Sequence, residues 1–169
     1  NLLGKRPHYV RSTLALFYND IEDLIAFDNV AQELRNLQGA RSLGVEAALI
    51  GSFSGKSILG GDGMYQASLS YTYQDTEDRN TGRTLTDSPH HLAKVRFSVP
   101  LVDDFWFLTP EFQYTSERTT VKGGEAPAYG VANVVLFCKD LLRRKNVDRG
   151  FSLSVGVYNL FDRKYEDPA

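Results

Sequence analysis

Apolar and polar residues alternate with a period of two along most of this chain. The cleanest run is Met64 to about Asp78, where Tyr65, Ala67, Leu69, Tyr71 and Tyr73 interleave with Gln66, Ser68, Ser70, Thr72 and Gln74. Successive side chains of a strand point to opposite faces, so this spacing predicts a strand with one apolar and one polar face. The same reading predicts about seven strands and no convincing helix. The first covers roughly Tyr9 to Phe27, with Leu14, Leu16 and Tyr18 on one face, although its second half, Asp20 to Ile25, also fits a helical turn. The second runs from about Gln32 to Phe53 and sets Val45, Ala47 and Leu49 against Gly44, Glu46 and Ala48. The fourth, His91 to Leu101, sets Ala93, Val95, Phe97 and Val99 against Lys94, Arg96 and Ser98. The fifth, Phe105 to about Thr119, sets Trp106, Leu108, Phe112 and Tyr114 against Thr109, Glu111, Gln113 and Thr115. In the sixth, Tyr129 to Leu142, the consecutive apolar residues Val134 to Phe137 blur the pattern. The seventh opens with Phe151, Leu153, Val155 and Val157 opposite Ser152, Ser154 and Gly156.

The connections separate two kinds of all-β protein. Val102-Asp103-Asp104 reads as a tight turn, Asn80 to Pro89 as a long polar loop, and Lys122 to Pro127 as a second loop at the end opposite the tight turn. Long loops at one end and short ones at the other are the habit of outer-membrane barrels. Ser54 to Gly63 departs from it, being long for a periplasmic turn. A soluble antiparallel sandwich also alternates, apolar inward and polar outward. Strand length favours the membrane: the third and fifth strands read as about fifteen residues, where globular strands average about 5–6 and a barrel strand needs about 9–11 to cross. Aromatic residues at strand ends (Tyr65, Tyr71, Tyr73, Phe105, Trp106, Tyr114, Tyr129, Tyr158) fit interfacial girdles.

Composition changes the picture only by exclusion. A net charge of −2 gives no basic surface for nucleic acid. The single cysteine, Cys138, excludes an internal disulfide and a cysteine metal cage. No run of about eighteen apolar residues predicts a membrane helix, a test that a barrel escapes because only alternate residues face lipid. The N-terminus NLLGKRPHYV lacks the apolar core and cleavage site of a signal peptide, which for an exported protein predicts a fragment.

Candidate chemistry is sparse. His90-His91 invites a metal or haem, but adjacent strand residues point to opposite faces and chelate poorly. Asp75, Glu77, Asp78 and Asp87 flank the same loop without the ligand spacing of a calcium loop, so solvated charge is their default reading. Gly60-Gly61-Asp62-Gly63 lacks the lysine and helix of a phosphate loop, and Ser52-Phe53-Ser54-Gly55 is not a nucleophile elbow. No catalytic constellation and no cofactor are expected. Lys94 and Arg96 share a polar face, and Glu46 and Glu111 sit on polar faces elsewhere. In a barrel these four would point into the lumen, because charge toward lipid costs about 2–4 kcal/mol near the midplane.

Several segments add a resemblance. The seventh strand ends in Asn159-Leu160-Phe161-Asp162 and, two basic residues on, Tyr165, which resembles the "NLFDxxY" signature that precedes the last strand of TonB-dependent outer-membrane receptors. Leu16 to Ile25 (LFYNDIEDLI), then Asn36-Leu37-Gln38-Gly39-Ala40 and Gly44-Val45-Glu46, resemble another stretch of the same receptors. Ser70-Tyr71-Thr72-Tyr73 followed by Ser88-Pro89-His90-His91 is similar to their next hairpin. The resemblance implies an antiparallel transmembrane β-barrel of twenty-two strands around an N-terminal plug. Residues 1–169 would be a C-terminal portion of it, about seven consecutive strands, with the plug and the final strand absent. It implies uptake of a scarce small-molecule nutrient driven by TonB, an iron–siderophore complex first and cobalamin, haem or a glycan next. The implied partners are outer-membrane lipid, the receptor's own plug and TonB, with no nucleic acid. The alternatives are a soluble all-β binding module and a porin-type barrel unrelated to TonB. The signature is expected to be structural, Phe161 and Tyr165 anchoring the strand-to-loop junction by aromatic packing.

Overall fold

The computed structural model describes residues 8–28, 33–120, 124–141 and 150–165. Seven strands form one sheet: β1 (Tyr9–Asp28), β2 (Glu33–Lys56), β3 (Asp62–Asp78), β4 (His91–Val102), β5 (Trp106–Thr115), β8 (Tyr129–Leu141) and β9 (Phe151–Val157). Each pairs antiparallel with the next, in the order β1-β2-β3-β4-β5-β8-β9, while β6 (Arg118–Thr119) and β7 (Glu125–Ala126) make a separate ribbon. Long strands and exclusively up-and-down neighbours are what the period-two pattern demands, since each strand satisfies its backbone polar groups on the strands beside it.

The register sorts side chains into two faces. Leu14, Ala47, Tyr71, Ala93, Tyr114 and Gly130 lie in one cross-strand row, and Leu49, Leu69, Val95, Phe112 and Ala132 in the next on the same face. Leu153 and Val155 join that face through Cys138 and Leu136. The opposite face carries the row Arg11, Ile50, Ser68, Arg96, Glu111, Asn133. Among the described residues no second layer covers the apolar face: Leu69 is 45% exposed, Phe97 51% and Phe112 49%. Among the described residues the buried hydrophobic positions are Ala40, Ala126 and Cys138, too few for the core of a sandwich.

Aromatic residues mark the two ends of the apolar face. Phe53 stacks on Tyr65 at 4.9 Å near the short-turn end, with Trp106 farther along the sheet. Tyr73, Tyr71 and Tyr114 sit toward the long-loop end. Tyr65 to Tyr73 and Trp106 to Tyr114 each span eight positions, about 26 Å along an extended strand, which matches an apolar band about 25 Å tall.

Four expectations are corrected. Asp20 to Ile25 is strand, not a helical turn: Ile21 pairs with Ala40 and Leu24 with Leu37. The fifth strand is ten residues rather than about fifteen. It stops where Ser116 turns to His91, receiving the His91 N–H on its Oγ at 3.1 Å and donating its own N–H to the His91 carbonyl at 3.0 Å. The loop expected over Lys122 to Pro127 contains β7 (Lys122 and Gly123 lie outside the described residues). Half of the long segment Ser54 to Gly63 is ladder, pairing Ser54 with Met64 and Lys56 with Asp62. The remaining turn docks on its neighbour: Leu59 N–H donates to the Leu101 carbonyl at 2.8 Å and Met64 N–H to Asp104 Oδ1 at 2.8 Å.

Candidate functional site on the polar face

Glu111 is the centre of the polar face. β5 places it beside Arg96 of β4 and Asn133 of β8 in one cross-strand row, and Lys94 and Gln113 one row farther on. Its Oε2 lies 3.1 Å from Lys94 Nζ and 3.2 Å from Arg96 Nε. Its Oε1 accepts from Gln113 Nε2 at 2.7 Å and from Asn133 Nδ2 at 3.1 Å. The Glu111 side chain is 11% exposed, against 46% for Lys94 and 55% for Arg96, so the carboxylate is set into the wall and the cations stand above it.

Asn133 extends the network to the C-terminal signature. It is 7% exposed, and its Oδ1 accepts the Asn159 backbone N–H at 2.9 Å. The next residue returns to the ladder: Leu160 N–H donates to the Ala132 carbonyl at 2.8 Å. The Asn133 amide therefore stands in for a backbone partner where β9 ends.

The signature's own residues explain its spelling. Asn159 (φ 51) and Asp162 (φ 48) both adopt the left-handed conformation, which asparagine and aspartate tolerate better than other non-glycine residues. Asn159 Oδ1 accepts the Arg163 N–H at 2.8 Å, its Nδ2 donates to the Arg163 carbonyl at 3.0 Å, and the Asp162 N–H donates to the Asn159 carbonyl at 2.9 Å. Tyr165 stacks on Tyr129 with ring centres 4.5 Å apart and planes 5° from parallel. The Arg118 guanidinium lies 5.4 Å from the same Tyr129 ring and 3.4 Å from Asp87 Oδ1. Because Asp87 N–H also donates to the Thr119 carbonyl at 2.9 Å, the loop after β3 and the β6–β7 ribbon are joined. Among the described residues the expected packing of Phe161 is not formed: it is 78% exposed, because Leu160 and Phe161 hold the two central positions of the Asn159–Asp162 turn and project from it.

Of the other candidates, Gly44 faces the polar side and lies under the Phe17 ring, where a Cβ would collide with that ring and with the Tyr73 carbonyl. Val45 lies on the apolar face between Leu16 and Tyr73. Glu46 stands on the polar face opposite Ala15 and Thr72 and does not join Glu111. His90, just before β4, and His91, its first residue, do not diverge as the strand pattern predicts: their rings lie 6.4 Å and 5.3 Å from the same Tyr73 ring. Each has its own polar partner, His91 Nδ1 lying 2.8 Å from Tyr71 Oη and His90 Nδ1 3.0 Å from the Gln74 carbonyl. Among the described residues no cluster of histidine, cysteine and acidic groups could hold a metal ion.

The family described as "TonB dependent receptor-like, beta-barrel" matches residues 6–160. The chain belongs to that family. A solved structure with a similar fold is the "Copper transporter OprC", at a TM-score of 0.69 and 18% identity. The match covers 95% of this chain but 24% of that one, so these strands span about a quarter of the transporter's length. As a TonB-dependent receptor barrel, the sheet is placed in the outer membrane of a Gram-negative bacterium, where an uncovered apolar face between aromatic rows is an asset.

Proposed function

We propose that residues 1–169 are the C-terminal part of the barrel of an outer-membrane transporter, whose polar face lines the lumen. In the intact receptor the edge of β9 would pair with a final strand, and a plug would fill the lumen. The receptor binds a scarce nutrient outside the cell and admits it when TonB acts on the plug, an iron–siderophore complex being the substrate class to test first. The observation that carries this reading is the family match over residues 6–160 of a sheet with one uncovered apolar face and one charged face. Lys94, Arg96, Glu46 and Glu111 are its lumen-facing residues, and Asn159, Leu160, Phe161, Asp162 and Tyr165 have a structural role where β9 meets the outer loop.

The test is uptake by cells that carry the full-length receptor, with and without a functional TonB. Labelled ferric siderophores, cobalamin, haem and copper ions would be compared. Uptake of a ferric siderophore that disappears without TonB is the expected result. TonB-dependent uptake of copper alone would overturn the substrate and keep the transport mechanism. Receptor-dependent uptake indifferent to TonB would favour a porin-type barrel instead.

A further inference from the structure

Between the two aromatic rows the polar face carries Arg11, Lys94 and Arg96 against Glu46 and Glu111. The imbalance is concentrated at one point, where two cations share a single carboxylate. We propose that Lys94 and Arg96 form a receiving site for an oxyanion, a carboxylate or phosphate group of a small solute in the lumen. The inference rests on the polar face lining the lumen.

Three observations carry it. Glu111 is saturated: each of its oxygens already has two donors, so it neutralises one positive charge and is held in place by Gln113 and Asn133. On the sheet itself the surplus charge is presented rather than hidden, since Lys94 and Arg96 are several times more exposed there than the carboxylate below them. Both cations reach the same oxygen, Oε2, so their nitrogens cannot be farther apart than those two contacts allow, a spacing that one two-oxygen group can bridge. The surroundings do not cancel the charge. Ser68, Ser70, Ser98 and Thr109 are neutral hydroxyls on the same face. Glu46 is two strands and two positions away, about 12 Å between backbones. A purely structural ion pair needs one cation; the second is what the proposal explains.

The test uses the full-length receptor in detergent at low salt, titrated with citrate and, as a neutral control, glycerol in a calorimeter. Citrate is expected to bind and glycerol not to. Lys94→Gln and Arg96→Gln, each of which leaves one ion pair with Glu111 intact, should weaken citrate binding about tenfold or more. The exchanges Lys94→Arg and Arg96→Lys should restore it, and added salt should weaken it. Heat-modifiable mobility on gels verifies that each variant is folded. Folded wild-type protein that takes no citrate, or glutamine variants that bind it as well as wild type, would overturn the proposal. Citrate binding that appears only once the plug is removed would assign the site to a plug carboxylate and overturn it equally. TonB-dependent uptake of a nutrient without oxyanion groups would leave the transport reading standing while this one fails.

Discussion

Asn133 shows how one residue can hold several others in register. Its amide donates to Glu111 and accepts from Asn159, so both halves of a buried polar group are used. Removing it would leave the Glu111 oxygen short of a donor and the Asn159 N–H without an acceptor, and unmet partners of that kind cost about 1–3 kcal/mol. Asn133→Leu should therefore destabilise the folded receptor by about that amount in urea unfolding from lipid vesicles. Glu46→Gln, at an exposed position apart from the network, should change the same midpoint by less than about 0.5 kcal/mol. The sequence displays Glu111, Lys94 and Arg96 as polar residues at alternate positions, and so as members of one face. It does not display Asn133, which lies just before the apolar run Val134 to Phe137, and whose partners are 22 and 26 residues away. The left-handed turn of the signature is legible in the same limited sense: Asn and Asp are recognisable as turn formers, but Phe161 reads as an anchor until the turn is seen to point it outward.

Strands were the most legible elements, because period two is a property of each strand alone. Their ends depend on neighbours, and there the reading loses its grip. Nothing in Ser116 or Arg118 announces that β5 stops at Thr115 and that a two-residue ribbon follows. That break exists because Ser116 binds His91 and Arg118 meets Asp87 and Tyr129, on segments far away in sequence. The ribbon's contacts also rank the aromatic residues of the signature. Tyr165 is stacked on Tyr129, which in turn lies under Arg118, whereas Phe161 is exposed. Tyr165→Ala should thus lower the yield of heat-modifiable barrel in the outer membrane more than Phe161→Ala does, and Tyr129→Ala should match Tyr165→Ala. Equal effects of the two signature variants would show that the stack is not what anchors the junction. Within β2, Gly44→Ala places a Cβ against the Tyr73 carbonyl as well as the Phe17 ring. A backbone oxygen cannot turn away as a side chain can, so the β1-β2-β3 ladder must shift. A loss of about 1–3 kcal/mol of barrel stability is expected, read by the same urea titration.

At the scale of the molecule, the sheet is stable only in a solvent that suits both faces. Leu69 gives the sharpest test, because it lies four positions from both Tyr65 and Tyr73, at the middle of the apolar band, beside Leu49 and Val95. Leu69 is 45% exposed, so the part of it that its neighbours leave uncovered meets lipid. An arginine there would meet hydrocarbon at the bilayer midplane, at a cost of about 2–4 kcal/mol. Ser68, the adjacent residue, pairs with Arg96 on the opposite face. An arginine at Ser68 would meet water or other polar groups, with some repulsion from Arg96 that added salt relieves. Leu69→Arg should consequently lower the folding free energy of the full-length barrel in vesicles by about 2–4 kcal/mol, and Ser68→Arg by well under half of that. In water the order should invert in importance: residues 1–169 expressed alone should aggregate, because the apolar face and two strand edges are uncovered, and Leu69→Arg should make the aggregation milder. If both arginine variants were equally harmful in vesicles, the two faces would not differ in environment, and the membrane placement of this sheet would be wrong.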